Sequence, residues 1–492
     1  MLIIIVSIAL TCSQLSVEKA KAQTPIYIRA DGEVDPPTAK VTRTNDFAYT
    51  FTGLVTDPIV VQRDNIVLDG AGYALIGGNS ERGIDLSDKN NVTVMNLSIG
   101  GFVYGLYLAN STSVSVSDAG ISNCSGYGIN ALKCSNCTIR RNNVTSGLFL
   151  FAFANGSIVD NSFSVNTVRL VNLSNFNDIT HNSITGADPF GMYLENSSHC
   201  TILQNTISRN TRGLFLAINS SFNTIIGNYF PYNGGFGLQI RESMSNVVTN
   251  NDFEGNGNAV LTLLASDNSF HHNNLIGNLI QAYDYNSLDK WDDGYPSGGN
   301  YWNDFVAKDG FSGPAQDASG SDGIVDKPYR IDVNNIDNYP LTGMFQQFTV
   351  HKPSQPPSEQ REISVVSNST ISEFGLKVWL SAPTPNLEPG QPFIELSATG
   401  SDGSSGFCRL TIPRDIMDRP YLVLVDGNEV SATEIQTSNA THAFLYFTYS
   451  HSTRDIIVVR EFTPFILLLT MVAAGLMTIT VLRKRRDPDL KQ

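Results

Sequence analysis

A short pattern recurs seven times between Arg140 and Leu275. Each copy contains an apolar residue, two or three mostly polar residues, an Asn, one spacer, and then Ile, Val, Phe or Leu. The successive Asn residues are 19, 21, 23, 23, 23 and 22 residues apart, and they are Asn142, Asn161, Asn182, Asn205, Asn228, Asn251 and Asn273. A period in the low twenties with short apolar segments is typical of a solenoid, in which each repeat covers its neighbour.

The composition of the repeat favours strands over helices. The repeats are rich in Asn, Ser, Thr, Val, Ile and Gly, and they lack apolar residues at helical spacing. Short alternating segments such as residues 213–218 are bounded by Asn and Gly, as strands are. We therefore predict an all-β chain built on a right-handed parallel β-helix.

The repeated Asn fits a structural role at a turn. Asn tolerates the left-handed backbone conformation, and its amide can bond to the same Asn one coil away. A catalytic Asn would be needed once and not seven times, so we interpret the seven as a structural ladder.

The net charge narrows the class of partner. The 492 residues carry a formal charge of −14 at pH 7, and 41% of them are hydrophobic, which supports a real core. A negative surface argues against a nucleic-acid partner and against docking on anionic lipid headgroups. It is compatible with divalent cations and with neutral or cationic sugars.

Both ends of the sequence indicate a membrane protein. Residues 1–22 have the apolar stretch and the Ala-Lys-Ala cleavage motif of a signal peptide. Residues 462–482 carry no charge and are long enough for a C-terminal transmembrane helix. Four basic residues follow at 483–486, so residues 483–492 are expected in the cytoplasm and the ectodomain outside the cell.

Glycosylation sequons agree with an extracellular location, and those in turns are the better acceptors. They lie at Asn91, Asn96, Asn110, Asn123, Asn136, Asn143, Asn155, Asn172, Asn196, Asn219, Asn368 and Asn439.

The composition changes at two points after the repeats. The β-helix is predicted over residues 23–344, with an Asp-rich cap over about residues 286–344. Residues 345–361 contain several Pro among Gln, Ser and Lys and are predicted to be a linker. Residues 362–460 show alternating strands separated by turns and are predicted to form a small β-sandwich.

The cap contains a candidate metal site. Asp317, Asp322 and Asp326 place oxygen side chains at short spacing, with Gly where the loop turns sharply. Such a loop suits a hard cation, and Ca²⁺ is the predicted ligand. The alternative is a polar loop that covers the open end of the solenoid without an ion.

Several motifs resemble those of archaeal NosD-like right-handed β-helix proteins. They are the segments at residues 26–32 and 66–73, the Asn coils, Gly299-Asn300-Tyr301-Trp302, residues 322–329 and Tyr339-Pro340-Leu341. The resemblance covers residues 26–341 and implies a fold shared with carbohydrate-binding proteins and sugar hydrolases. The namesake is linked to copper delivery for nitrous-oxide reductase. Residues 406–453 are similar to a membrane-proximal module of archaeal surface proteins.

The outward charges do not form a recognisable catalytic pattern. Polysaccharide-active β-helices need clustered carboxylates, or a basic residue beside a carboxylate, on one outward face. The candidates are Arg169, Asp178, Asp188, Glu195, Arg209, Arg212, Arg241, Glu242 and Glu254. Their spacing does not distinguish them from a solvated face.

The histidines give little support for a metal centre. Seven are scattered through the chain, and only His271-His272 is a pair. Adjacent positions on a strand point to opposite faces, so this pair is predicted to be a poor chelate.

Together these features predict a membrane-anchored cell-surface protein whose β-helix binds or scaffolds a surface polysaccharide. A polysaccharide-active enzyme (a lyase, hydrolase or epimerase) is the first alternative, and copper handling is the second.

Overall fold

The computed structural model describes residues 24–352, 359–378, 390–435 and 439–461. Within these ranges no helix has the length and hydropathy that crossing a lipid bilayer requires. The predicted signal peptide, transmembrane helix and cytoplasmic tail lie outside the described residues. The chain divides into two compact units, Met1–Ser174 and Asn175–Gln492.

Unit 1 (Met1–Ser174) is a stack of coils made of short strands. The strands are β1 (Ile26–Ile28), β2 (Val34–Asp35), β3 (Val41–Arg43), β4 (Ala48–Phe51), β5 (Ile59–Val61), β6 (Ile66–Asp69), β7 (Ala74–Ile76), β8 (Arg82–Asp85), β9 (Val92–Met95), β10 (Ser98–Gly100), β11 (Tyr104–Ala109), β12 (Ser115–Ser117), β13 (Gly120–Ser122), β14 (Ile129–Leu132), β15 (Thr138–Arg140), β16 (Asn143–Val144), β17 (Leu148–Phe151), β18 (Ser157–Val159), β19 (Ser162–Ser164) and β20 (Val168–Val171).

The strands of unit 1 form three sheets that each gain one strand per coil. The first sheet has the order β2-β1-β5-β8-β11-β14-β17-β20, the second β7-β10-β13-β16-β19, and the third β3-β4-β6-β9-β12-β15-β18. Neighbours pair in parallel, apart from the antiparallel pairs β1–β2 and β3–β4 near the N-terminal end. The predicted parallel β-helix is confirmed.

Unit 2 (Asn175–Gln492) contains further coils, a cap and a second domain. The coil strands are β21 (Asp178–Thr180), β22 (Ser183–Thr185), β23 (Met192–Glu195), β24 (Thr201–Leu203), β25 (Thr206–Ser208), β26 (Leu214–Ala217), β27 (Thr224–Ile226), β28 (Tyr229–Pro231), β29 (Phe236–Arg241), β30 (Val247–Thr249), β31 (Asp252–Glu254), β32 (Asn258–Leu263), β33 (Ser266–His271), β34 (Asn274–Ile276), β35 (Ile280–Tyr285), β36 (Leu288–Lys290) and β37 (Tyr301–Trp302).

The coils of unit 2 repeat the three-sheet arrangement. The first sheet has the order β23-β26-β29-β32-β35, the second β22-β25-β28-β31-β34-β37, and the third β21-β24-β27-β30-β33-β36. The last two coil strands, β36 and β37, lie inside the predicted cap, so the solenoid extends further than the composition indicated.

Alternation along each strand sends every second residue into the core. In the third sheet of unit 2, Ile202, Ile225, Val248 and Phe270 occupy the same position in successive coils and are at most 1% exposed. Burial of each such side chain stabilises the fold by about 1.5 to 3 kcal/mol. Similar residues therefore stack on one another from coil to coil.

The turns between strands use the left-handed backbone conformation. After the first-sheet strands of unit 2, for example, φ is 47° at Asn196, 59° at Asn219, 48° at Glu242 and 52° at Leu264. Asn enters this region at lower cost than most residues. The geometry accounts for the high Asn content, and it places most sequon Asn residues in turns.

The cap and the second domain complete unit 2. The cap hairpin strands are β38 (Phe311–Ser312), β39 (Ala318–Ser319), β40 (Tyr329–Arg330) and β41 (Ile336–Asp337). The domain strands are β42 (Met344–His351), β43 (Gln360–Ser367), β44 (Thr370–Val378), β45 (Pro392–Thr399), β46 (Ser405–Pro413), β47 (Tyr421–Val425), β48 (Asn428–Val430), β49 (Ala432–Glu434), β50 (His442–Ser450) and β51 (Thr453–Arg460).

The second domain has two five-stranded antiparallel sheets around a common core. Their orders are β42-β43-β46-β50-β49 and β44-β45-β51-β47-β48. Residues 345–351 and 360–361 of the predicted linker are strand residues instead, because β42 pairs with β43 along its whole length and belongs to the domain. The Asn274 side chain both donates to the carbonyl oxygen of Phe345 and accepts from its N–H, at 2.8 Å each, which ties β42 to the coils.

Candidate functional site

The structure places all seven repeated Asn residues in the interior, each at most 2% exposed. In unit 1, Asn142 donates from its N–H (2.9 Å) and its Nδ2 (3.0 Å) to Oδ1 of Asn161. In unit 2, the same pair of bonds links each residue to the next in the series Asn182, Asn205, Asn228, Asn251, Asn273 and Asn300. These side chains lie in the interior, where they bind one another and do not face a ligand-binding surface.

Two further Asn ladders run through unit 2. One links Asn223, Asn246 and Asn268, and the other links Asn210, Asn233 and Asn256, each through an N–H and an Nδ2 that donate to the next Oδ1. These two ladders were not predicted, although the same spacing of 22 or 23 residues marks them.

Carboxyl groups terminate two of the ladders. Asn268 donates from N–H and Nδ2 to Oδ1 of Asp289, at 3.0 and 2.9 Å. The N–H of Asn300 donates to Oδ2 of Asp337, at 2.8 Å. In each ladder the donors point toward the C-terminal end, so the last donors need an acceptor that an Asp supplies. Burial raises the pKa of Asp289 to about 6 and that of Asp337 to about 7.

The three Asp residues of the predicted calcium site do not form one ligand cluster. The oxygens of Asp322 accept from the Ile324 N–H and the Gln316 Nε2, and those of Asp326 accept from the Gly310 and Phe311 N–H groups, while Asp317 is exposed. Among the described residues, no three His, Cys, Asp or Glu side chains converge on a point that a metal ion could occupy. The contacts observed here are those of a hydrogen-bonded loop.

The outward side of the first sheet in unit 2 carries an aromatic cluster formed by Phe190, Tyr193, Phe215 and Phe236. Tyr193 pairs with Phe215 in the next coil, on the side opposite to the buried residues of the same strands. Ring centroids are 5.4 Å apart for Phe190 and Tyr193 and 5.3 Å for Phe190 and Phe215. Phe215 and Phe236 are 9% and 6% exposed, whereas Phe190 and Tyr193 are half-buried.

Arg212 lies within this cluster. Phe190, Arg212 and Phe236 directly precede the glycines at 191, 213 and 237, which lie at or just before the starts of β23, β26 and β29 in three successive coils. A Cβ at Gly213 would collide with the carbonyl oxygen of Gly237, so glycine allows the coils to approach closely there. The Arg212 guanidinium carbon is 5.4 Å from the Phe190 ring centre and 6.0 Å from that of Phe236.

Several of the other candidate charges are paired with neighbouring side chains. Glu195 accepts from the Tyr193 hydroxyl at 2.7 Å, and Arg241 pairs with Glu242 at 3.1 Å. Glu254, on the second sheet, accepts from the Tyr229 and Tyr232 hydroxyls, and the bond to Glu254 raises the pKa of Tyr229 to about 12. Asp178, Asp188 and Arg209 are exposed, and Arg169 in unit 1 is half-buried on the first sheet.

Asp252 lies in a groove between the second sheet and the β-sandwich. The groove has a volume of about 570 Å³ and is lined by Gln204, Asp252, Phe345, Gln347 and Glu362, among others. Burial raises the pKa of Asp252, whose Oδ1 accepts from Asn274 at 2.7 Å. Asp252 is two residues from Glu254 on β31, so both project outward on one face.

The geometry of the histidine pair contradicts the prediction that it points to opposite faces. Strand β33 ends at His271, and His272 has a φ of 58°, so the alternation of the strand does not continue. The two Nδ1 atoms are therefore only 3.3 Å apart. Burial lowers the pKa of both rings, to about 3 for His272, which favours the neutral form that binds metals.

Solved structures with some similarity to the chain include polysaccharide epimerases and a tailspike. The mannuronan C-5 epimerase AlgE4 A-module of Azotobacter vinelandii is 14% identical, with 52% of this chain and 83% of that one covered and a TM-score of 0.40. A variant of the periplasmic alginate epimerase AlgG is 14% identical, with 53% and 72% covered and a TM-score of 0.40. The Dettilon tailspike protein is 11% identical, with 82% and 87% covered and a TM-score of 0.30.

Family membership rests on the sequence of the coils. No curated protein matches the chain. The family described as "Periplasmic copper-binding protein (NosD)" matches residues 53–186 and 155–307, which together make up more than half of the chain. The match spans the Asn coils of both units. The chain therefore belongs to the NosD family.

Proposed function

We propose that this NosD-family protein binds a polysaccharide through the aromatic cluster on the first sheet of unit 2, without cleaving it. The observation that carries the proposal is a group of outward aromatic rings on a surface where a solenoid normally presents polar residues. In this group, half-buried Phe190 and Tyr193 pack against Phe215 and Phe236. A group of exposed apolar rings on a protein surface commonly marks an interaction site.

The chemistry of the cluster suits sugar rings. The face of an aromatic ring carries partial negative charge and attracts the weakly positive C–H groups on the apolar face of a pyranose. Tyr193 adds a hydroxyl that is oriented by its bond to Glu195, and Gln239 follows Phe215 in the next coil. Successive coils repeat at about 4.8 Å, so the sheet offers a row of contacts to a linear chain.

Exposure of the protein outside the cytoplasm is part of the same proposal. The family description is periplasmic, and the predicted signal peptide and transmembrane helix would hold an external domain at a membrane. Sequon residues such as Asn110, Asn136 and Asn219 lie in exposed turns where an acceptor side chain is accessible. Both features remain predictions.

The proposal is tested on an ectodomain of residues 23–460 with a panel of neutral and uronic polysaccharides. Binding isotherms are recorded beside assays for new reducing ends and for the absorbance of unsaturated products. We expect binding without product. Product that disappears when one outward carboxylate is replaced would contradict the proposal and identify an enzyme.

An enzyme is the first alternative, and Asp252 with Glu254 is the observation that favours it. Burial raises the pKa of Asp252, while Glu254 accepts hydrogen bonds from two tyrosine hydroxyls. Two carboxyl groups with different environments are what acid/base hydrolysis of a glycosidic bond requires. The variants Asp252→Asn and Glu254→Gln, assayed on the same panel, should abolish any product formation if this pair is responsible.

Copper handling is the second alternative, favoured by the His271–His272 contact and the family description. Imidazole nitrogens suit copper, and the lowered pKa of both rings keeps each imidazole neutral near pH 7, with one nitrogen unprotonated. The fit is incomplete, since the described residues supply no group of three ligands. Titration with Cu⁺ and Cu²⁺, repeated on a His271→Ala/His272→Ala double variant, decides whether the pair binds copper.

A further inference from the structure

We propose that Arg212 makes the aromatic cluster selective for sugars that carry a carboxylate, so that its ligand is a uronic-acid polymer. This inference rests on the proposed binding function and names the class of ligand. The structural basis is a guanidinium held beside two aromatic rings, with no carboxylate of the described residues within ion-pair distance.

The position of Arg212 leaves its N–H groups free for a ligand. A guanidinium beside aromatic rings can interact with them through its face while its N–H donors stay available to a carboxylate in its plane. Arg212 is exposed, and Phe190 and Phe236 flank it on either side along the sheet. The rings reduce the freedom of the side chain, so less entropy is lost when a carboxylate binds.

Glu195, the acidic side chain bonded to Tyr193, does not compete for Arg212. Glu195 is engaged by the Tyr193 hydroxyl at 2.7 Å and is paired in register with Ala217. Ala217 is five residues beyond Arg212, which is about 16 Å along an extended strand. Arg212 therefore has no ion-pair partner among the described residues, and it supplies the local positive charge that a uronate needs on a protein whose net charge of −14 otherwise repels polyanions.

Arg82 in unit 1 also lies beside an aromatic ring, but its charge is paired within the chain. Its guanidinium carbon lies 3.7 Å from the centre of the Tyr107 ring, but its Nη1 donates to Asp85 Oδ2 at 2.7 Å. Arg82 has its own carboxylate, whereas Arg212 has none. The comparison indicates that Arg212 is available to a carboxylate from outside the chain and that Arg82 is a matched control.

A planar carboxylate fits this site better than a neutral sugar does. Guanidinium and carboxylate form two parallel hydrogen bonds, which a single hydroxyl cannot reproduce. A pyranose that stacks on Tyr193 or Phe190 carries its C5 carboxylate at the ring edge, where the Arg212 donors lie beside the Phe190 ring. Neighbouring residues of one surface thus supply both the stacking contact with the sugar ring and the charged contact with its carboxylate.

The test measures affinity for matched ligands by calorimetry on the full chain in a zwitterionic detergent, because sugar-headed detergents would compete. The ligands are hexamers of galacturonate, mannuronate and glucuronate, each with its carboxyl-reduced neutral counterpart, and a sulfated neutral hexamer. We expect at least one uronate hexamer to bind about tenfold more tightly than its neutral counterpart, a difference of about 1.4 kcal/mol. Added salt should reduce that difference.

The variants assign the selectivity to Arg212. Arg212→Gln should lose the uronate preference but keep binding of the neutral hexamer, Arg212→Lys should keep part of the preference, and Arg82→Gln should behave as the wild type. If the wild type binds uronate and neutral hexamers equally, the inference is overturned while the proposed function stands. The same conclusion follows if Arg212→Gln weakens the binding of both kinds of hexamer equally. Tighter binding of the sulfated hexamer overturns the choice of a carboxylate. If no hexamer binds, the proposed function itself fails.

Discussion

Asn205 donates two hydrogen bonds to a single oxygen of Asn228, one from its main-chain N–H at 2.9 Å and one from Nδ2 at 3.0 Å. Asn228 repeats the arrangement toward Asn251, and its Nδ2 also donates to the carbonyl oxygen of Ile202 at 2.8 Å. One side chain therefore satisfies buried polar groups in three coils. The ladder holds the turns in register without contributing to any surface.

Replacement of Asn228 by Ala should destabilise unit 2 by about 3 kcal/mol, because it leaves the Asn205 N–H and the Ile202 carbonyl buried without their partner. Denaturant unfolding followed by circular dichroism measures the change. Ser183→Ala, at an exposed position of β22, is the control and should have an effect below about 0.5 kcal/mol. Equal stability of the two variants would contradict the role assigned to the ladder.

The carboxyl group of Asp289 predicts a dependence of stability on pH. Burial raises its pKa from 3.8 to about 6, and its Oδ2 is buried without a hydrogen-bond partner in the described part of the chain. Since the folded state binds the proton more tightly, the contribution of this group is complete below pH 3.8 and is lost as the pH rises through 6.

Asp289→Asn should remove this dependence, because Asn occupies the same position in the neighbouring coils at Asn246 and Asn268. We expect the variant to be more stable than the wild type by about 1 to 3 kcal/mol at pH 8, and the two proteins to converge near pH 4. Parallel unfolding curves from pH 4 to 8 provide the measurement. A variant that loses stability at pH 8 would show that the ladder needs an ionised end.

Calcium binding at the Asp317, Asp322 and Asp326 loop stays a prediction. If an ion links this loop, excess chelator should lower the melting temperature and added Ca²⁺ should restore it through linkage. Asp326→Asn should then abolish the response to Ca²⁺. Identical melting curves in chelator and in Ca²⁺ would identify the loop as held by its N–H donors alone, such as those of Gly310 and Phe311.

The parts of the fold that repeat were predictable, and the parts that depend on single contacts were not. The spacing of Asn142 to Asn273 predicted the coils, because a ladder needs one residue at one place in every turn. The segment that forms β42 was predicted to be part of a linker. A Pro-rich segment separates it from its pairing partner β43, and such a segment is typical of a domain boundary.

The candidate site was only partly predictable for a related reason. Arg212 was named among the outward charges, but Phe190 and Phe236 were not, because they precede glycines and do not lie in the alternating part of a strand pattern. Their proximity to Arg212 depends on the close approach of the coils at Gly213 and Gly237. The His271–His272 contact was missed because a positive φ at His272 ends the alternation one residue earlier than the sequence indicates.

The affinity of Tyr193→Ala for polysaccharide tests the central claim most directly. Tyr232→Ala serves as the control, because Tyr232 is an exposed tyrosine beside the second sheet that also bonds to a glutamate. In calorimetric titrations of the full chain with the hexamer that the wild type binds best, we expect Tyr193→Ala to weaken binding at least tenfold at an unchanged melting temperature. Tyr232→Ala should bind as the wild type does. Wild-type affinity in Tyr193→Ala, or an equal loss in both variants, would contradict the account.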